Sequence, residues 1–154
     1  MRTMLLSFKP EVFEAILSGK KIYEHRRVFP DGPIKAYIYI SKPVQAVTGI
    51  MHLGNKISLL EWKQKYFYDT EANARIDKYL ERYKFAMEIQ NFQNTNKIPL
   101  TVIKKEFPNF LIPQMYYFID DTPLLEYLKK NLTPEGEFIQ HEFTNISSDM
   151  ICIR

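Results

Sequence analysis

The sequence has a single cysteine and no long hydrophobic run, and both absences restrict what the chain can be. Because Cys152 has no second cysteine to pair with, an internal disulfide and a zinc site built on paired cysteines are excluded. No apolar run approaches the ~20 residues that a membrane-spanning helix requires. Residues 1–10 also lack the apolar stretch of a signal peptide. We therefore expect a cytoplasmic protein without a membrane partner.

Common nucleotide-binding and metal-binding motifs are absent as well. The sequence contains no GxGxxG, no GxxxxGK[ST] and no HExxH, which removes the usual dinucleotide, P-loop and zinc-protease interpretations. The three histidines, His25, His52 and His141, do not have the spacing of metal ligands. We predict no metal site and no cofactor.

The chain that remains has ordinary composition and the length of one domain. It has 154 residues, of which 45% are hydrophobic and 25% are charged, as is typical of a soluble globular protein. It contains no internal repeat, no low-complexity segment and no linker-like boundary. We predict a single domain over residues 1–154.

Positive charge is concentrated at the start of the sequence. Residues 1–42 hold eight Lys and Arg against four acidic residues, a net charge of +4, whereas residues 43–154 have a net charge of −1. This asymmetry is compatible with an anionic partner such as nucleic acid. A solvated basic face explains the same charge equally well.

The hydrophobic pattern predicts strands, then two central helices, then further strands. Ser58 to Glu61 fits a capping box, Thr122-Pro123 fits an N-cap, and Gly49 is a candidate bulge. This order is typical of an α+β domain and not of regular βαβ alternation. We predict strands over 4–8, 22–28, 34–41, 44–53, 85–90 and 115–119, helices over 10–17, 58–68, 101–107 and from 70 and 123, a loop over 91–97, and edge strands or a docked tail after 137.

The densest group of reactive side chains lies between residues 19 and 27. In a strand over 22–28, Glu24 and Arg26 point to the same side, ~6.6 Å apart, and Lys21 lies where the preceding helix meets that strand. A lysine, a carboxylate and an arginine can together bind an anion or the polar edge of a base. They can also support acid–base chemistry. The alternative is a surface ion-pair ladder, which contributes little stability.

The spacing of these residues resembles that of a known family. Gly19-x-Lys21-x-x-Glu24-x-Arg26 is similar to the GxKxxExR signature of ASCH domains, a branch of the PUA-like β-barrel superfamily. The opening strand, the segment ending in Ser41-Lys-Pro, and Ile112-Pro-Gln-Met-Tyr-Tyr-Phe118 resemble further family segments, although Ile112 and Met115 depart from the pattern. The resemblance covers about residues 4–119, and residues 131–154 form a C-terminal extension beyond it.

The resemblance implies a fold and a ligand class. The expected fold is α+β, a PUA-like mixed β-barrel with helices packed around it. The expected function is the binding of RNA or a nucleotide-like small molecule in a cleft lined by the motif. Aromatic side chains of such barrels can stack on bases, and Tyr37, Tyr39, Tyr116 and Tyr117 are available for this. The predicted ligand-binding residues are Lys21, Glu24, Arg26, Ser41, Gln114 and Tyr39.

The same resemblance implies an alternative, a hydrolase. A bacterial amidohydrolase of the family acts on N4-acetylcytidine with a motif lysine and a motif threonine. Lys21 matches the lysine, and Glu24 occupies the position of the threonine. The alternative function is hydrolysis of such a modified nucleoside or of RNA, with Lys21 and Glu24 as catalytic residues. Binding is mildly favoured, because an adjacent carboxylate stabilises the ammonium form of a lysine.

Overall fold

A single curled sheet with helices around it organises the chain. The computed structural model describes residues 1–153. The strands are β1 (Arg2–Phe8), β2 (Tyr23–Arg26), β3 (Ile34–Ile40), β4 (Ala46–Ser58), β5 (Phe85–Thr95), β6 (Ile98–Pro99), β7 (Tyr116–Phe118) and β8 (Pro134–Gln140). The helices are α1 (Pro10–Leu17), α2 (Leu59–Lys65), α3 (Thr70–Leu80), α4 (Leu100–Glu106) and α5 (Pro123–Asn131), and Ser148–Met150 forms one 3-10 turn.

The strands form one mixed sheet. Its main order is β2-β5-β4-β3-β1-β7, with β6 added to β4 and β8 added to β5. Only the β1–β3 pair is parallel among the strands described, and the other pairs are antiparallel. The sheet curls into a half-barrel with the helices packed around it, which confirms the predicted α+β, PUA-like architecture.

Local sequence signals start and stop the helices that were predicted. The Ser58 hydroxyl accepts the Leu60 N–H at 3.3 Å, and the Thr122 hydroxyl accepts the Leu125 N–H at 3.2 Å. These side chains satisfy backbone donors that a helix start leaves unpaired. After α1, Gly19 adopts a left-handed φ of +78°, and the Lys21 N–H donates to the Ala15 carbonyl at 3.1 Å. This tight turn holds Lys21 against the C-terminal end of α1.

Apolar side chains fill both faces of the sheet. One face packs against α1 and includes a predicted row of β3, which is Ile34, Ala36, Ile38 and Ile40. The opposite face packs against α4 and α5 around Tyr37 and Tyr39. A third cluster joins α2, α3, Tyr23 and Ala86 to Ile151 and Cys152. Because both faces are covered, the two tyrosines in the second row of β3 are buried too.

The sheet extends further along the chain than the pattern predicted. The loop predicted over 91–97 is wrong for residues 91–95, since β5 continues to Thr95 and pairs with β8. β4 likewise continues to Ser58 rather than ending near 53. The predicted extension, residues 131–154, contributes β8 and the buried Ile151 and Cys152, and Arg154 lies outside the described residues.

A bulge at Gly49 bends β4 over the sheet. Tyr37 pairs with Ile50 while Tyr39 pairs with Val47, so β4 carries one extra residue at this point, as the position of Gly49 predicted. Gly49 has a φ of +93°, and a Cβ added there would overlap the ring of Phe92 at Cζ. Both the backbone conformation and the contact require glycine.

Replacing Gly49 with alanine tests whether this bulge is needed. We expect Gly49→Ala to lower the free energy of unfolding by about 2–4 kcal/mol, from backbone strain and the clash with Phe92. Gly19→Ala is the matched control, because Gly19 also has a positive φ but nothing lies within 4 Å of the place that its new methyl group would take. Urea denaturation measures both, and equal losses in the two variants would contradict the steric argument.

Candidate functional site

A cavity of about 820 Å³ opens at one end of the half-barrel. It is lined by the edge strand β2, by the end of β1 and by the start of α1. Its wall is completed by Ser41 after β3, by Arg82 and Tyr83 after α3, and by the segment 112–115 before β7. Five separate stretches of the chain therefore meet here, and the curl of the sheet brings them together.

A buried carboxylate in the cavity lining, that of Glu24, binds two cations. Glu24 is only 5% exposed. Its Oε2 accepts Nε and Nη2 of Arg26 at 2.9 and 2.7 Å, and its Oε1 lies 3.3 Å from Nζ of Lys21. Oε1 also accepts the His25 N–H at 3.3 Å. Both oxygens are thus occupied in holding the two cations at fixed positions.

Strand β2 and its neighbours determine where these side chains point. Glu24 and Arg26 are two positions apart on β2 and pair with Met87 and Phe85 of β5, so their side chains point to the same side of the strand. Nη2 of Arg26 also donates to the Ser7 carbonyl at the end of β1, at 3.2 Å. Arg26 consequently links the edge strand to the opposite side of the cavity.

The cavity lining carries an excess of positive charge. It contains one carboxylate, Glu24, and five cations: Lys9, Lys21, Arg26, Arg27 and Arg82. The net charge of these side chains is +4 when His25 is neutral. Three of these cations, Lys9, Arg27 and Arg82, are exposed. Within residues 1–153 they form no ion pair with a carboxylate. This lining suits an anionic ligand.

His25 is a buried, uncharged neighbour of the triad formed by Lys21, Glu24 and Arg26. Burial, together with the nearby Lys21 ammonium, lowers the pKa of His25 to about 3. Its ring lies edge-on to Tyr79 at 4.8 Å and tilted against Tyr83 at 5.9 Å. Neither ring nitrogen has a hydrogen-bond partner in the described part of the chain. His25 therefore lines the cavity as a neutral ring.

The structure brings together five of the six residues named as ligand-binding candidates. Lys21, Glu24, Arg26, Ser41 and Gln114 all line this cavity. Tyr39 does not, because it is 1% exposed and packs in the cluster beneath α4 and α5.

The stacking tyrosines expected from the sequence lie elsewhere. Tyr37 is buried with Tyr39, and Tyr116 and Tyr117 lie in β7 outside the cavity lining. The tyrosine that does line the cavity is Tyr83. Tyr37 and Tyr39 cannot stack on a ligand in this cavity, because helices cover both faces of β3 and the two rings pack in the core.

Sequence reasoning missed part of the lining. Lys9, Arg82 and Tyr83 were not candidates, yet each contributes to the cavity. Arg82 and Tyr83 come next to β2 because the Lys84 N–H donates to the Arg26 carbonyl at 3.1 Å. Such a pairing between distant segments cannot be recognised from neighbouring residues in the sequence. Lys9, by contrast, directly precedes Pro10, the predicted start of α1, and could have been found from its position.

The described chain offers neither a metal cluster nor a membrane-spanning helix. Over 1–153, no three His, Cys, Asp or Glu side chains converge to form a metal site. No helix within the same residues combines the length and apolar character needed to cross a membrane.

Comparison with known proteins addresses the fold. The sequence matches no protein-family model and no curated protein. The structure, however, superposes on an ASCH protein from Zymomonas mobilis with a TM-score of 0.64 at 23% identity, covering 86% of this chain and 97% of that one. The chain has the ASCH fold.

Two substituted forms of the Zymomonas mobilis ASCH protein give the same result. Their TM-scores are 0.66 and 0.65, with 24% and 23% identity. Each alignment covers 86% of this chain, and 97% and 100% of the two matched chains. The resemblance to ASCH domains that the motif predicted is therefore confirmed at the level of the fold.

Removing the charge of the central carboxylate tests its structural importance. We expect Glu24→Gln to lower the free energy of unfolding by about 3–5 kcal/mol, because two largely buried cations lose their counter-charge. The control is Asp77→Asn, which breaks the half-exposed Lys63–Asp77 pair and should cost less than about 1 kcal/mol. Urea denaturation of both variants measures the difference, and similar losses would show that the triad is an ordinary surface pair.

The pH dependence of stability tests the burial of His25. Between pH 6.5 and 3 the unfolded chain binds a proton on this residue while the folded chain does not, so stability falls as pH falls, by up to about 1.4 kcal/mol per pH unit. His25→Phe keeps a ring against Tyr79 and Tyr83 but cannot titrate. From about pH 6 to 4 we expect a shallower loss of stability in this variant, measured by urea denaturation. Parallel curves would contradict a buried neutral imidazole.

Proposed function

We propose that this protein binds RNA or a nucleotide-like ligand in the cavity beside β2, with the cationic side chains holding phosphate. The observation that carries the proposal is the lining itself, which contains five cations and only one carboxylate. That carboxylate is already occupied by Lys21 and Arg26, so it does not leave a free negative charge to repel an anion.

The arrangement of the cations also supports phosphate as the ligand group. Guanidinium groups match the geometry of phosphate oxygens, and an ammonium acts as a compact point charge. Lys21 and Arg26 are fixed in advance by Glu24, which reduces the entropy lost when a ligand binds. Arg27 and Arg82 are exposed and can reach a longer strand at the mouth.

The size of the cavity agrees with a ligand of this class. Small-molecule sites usually have volumes of about 300–1,000 Å³, and this cavity falls in that range. A nucleotide or the end of a single RNA strand has both a suitable size and a negative charge. We also propose a cytoplasmic location, from the single cysteine and the lack of a long apolar run, and a single domain, from the length of 154 residues.

The hydrolase alternative finds less support in the geometry. A general base needs an oxygen or nitrogen free to take a proton. The oxygens of Glu24 accept donors from Arg26, Lys21 and the backbone of His25. Lys21 is 8% exposed and lies against the same carboxylate, so it is better placed to grip an anion than to attack as a nucleophile.

Salt dependence tests the phosphate contacts. For a fluorescein-labelled single-stranded RNA decamer, we expect affinity to fall steeply with salt, because each neutralised phosphate releases counterions. Arg27→Gln combined with Arg82→Gln should reduce the slope of log K against log salt by about 1.4 if each contacts one phosphate. Fluorescence anisotropy between about 50 and 200 mM salt measures the slopes.

A charge-matched control separates a local contact from a change in net charge. Lys104→Gln with Lys105→Gln removes two exposed cations of α4 that do not line the cavity, and its slope should equal that of the wild type. An affinity that ignores salt, or an equal effect in the two double variants, would contradict binding in this cavity. RNA turnover that disappears in Lys21→Ala while binding persists would instead favour the hydrolase.

A further inference from the structure

One wall of the cavity, close to the cations, contains large apolar side chains that remain exposed. Ile112 is 42% exposed and Met115 is 46% exposed, and both line the cavity. Pro113, which lies between them in sequence, is buried. Clustered apolar side chains that a protein leaves in contact with water commonly mark a binding site.

One residue of β1 joins this apolar wall to a cation of the lining. The Ser7 N–H donates to the Met115 carbonyl at 2.9 Å, and the Ser7 carbonyl accepts Nη2 of Arg26 at 3.2 Å. Met115 and Arg26 are therefore attached to the two polar groups of a single residue. A ligand of nucleotide size can touch the apolar wall and the cations at once.

A ligand that is only an anion would use the cations and leave the apolar wall in water. We propose that Ile112 and Met115 form the base-binding part of the cavity, so that its ligand is a nucleotide whose phosphate contacts the cations and whose base lies on this apolar wall. This inference rests on the proposed function and adds the class of group that accompanies the phosphate.

The chemistry of the two side chains suits the face of a base. A nucleobase presents a flat, polarisable surface, and the thioether of Met115 makes favourable contacts with such rings. Contact through the face does not depend on the hydrogen-bonding edge, so all four bases can use it. The half-buried ring of Tyr83 lines the same cavity and supplies an aromatic surface.

Pairs of ligands that differ only in the base test this assignment. Isothermal titration calorimetry compares the four ribonucleoside monophosphates with ribose 5-phosphate, and RNA homopentamers with an abasic ribose phosphate oligomer of equal length. We expect the ligand with a base to bind at least about tenfold more tightly, because its base and the two apolar side chains remove apolar surface from water. A gain with the monophosphates identifies a free nucleotide, and a gain with the pentamers alone identifies a strand of RNA.

Variants locate the gain. Met115→Gln with Ile112→Asn should remove most of the tenfold difference while leaving the affinity for the base-free ligand unchanged, which also reports that the variant is folded. Met115→Gln alone should remove part of it. Leu111→Gln is the matched control, because Leu111 is 73% exposed but does not line this cavity, and it should keep the full difference.

The outcomes distinguish this inference from the proposed function. If the base-free and base-containing ligands bind equally to the wild type, or if the double variant keeps the tenfold gain, the base-binding assignment is wrong while phosphate binding stands. If none of these phosphate compounds binds, the proposed function is wrong, and this inference is wrong with it.

Discussion

The ion triad of Glu24 with Lys21 and Arg26 is the constraint on which the cavity depends. A carboxylate that is almost fully buried requires counter-charges, and it obtains them from the turn after α1 and from its own strand. Because Arg26 also reaches the end of β1, the same group connects the two sides of the opening. The triad therefore first holds these segments together, and it leaves one net positive charge in the cavity lining.

The surroundings of the triad divide the cavity by chemistry. The lining combines exposed arginines, the apolar side chains of the segment before β7, and the uncharged His25 and Tyr83 rings near the end of α3. No single element carries all of these groups. The half-barrel brings them together because β1, β2 and the loop after β3 end close to one another at the same rim.

Local signals in the sequence predicted most helices and strands, and the motif residues that the structure brings together in the cavity lining. The helix caps at Ser58 and Thr122 were recognisable because capping depends on neighbouring residues alone. The motif residues around Glu24 are likewise close in sequence. Tyr39 was expected in the ligand site but lies in the core, and Arg82 lines the cavity but was not expected there. Both positions depend on how distant elements pack against the sheet. The continuation of β5 depends similarly on its pairing with β8.

Strand β2 has a further property that follows from its place at the end of the sheet. It is four residues long and forms one edge of the main order. Unpaired strand edges invite pairing with another chain, and short edges bearing charged side chains resist it. Arg26 and the adjacent Arg27 place positive charge at this edge. The two arginines that line the cavity are thus also charged residues of the kind that disfavours pairing between strand edges.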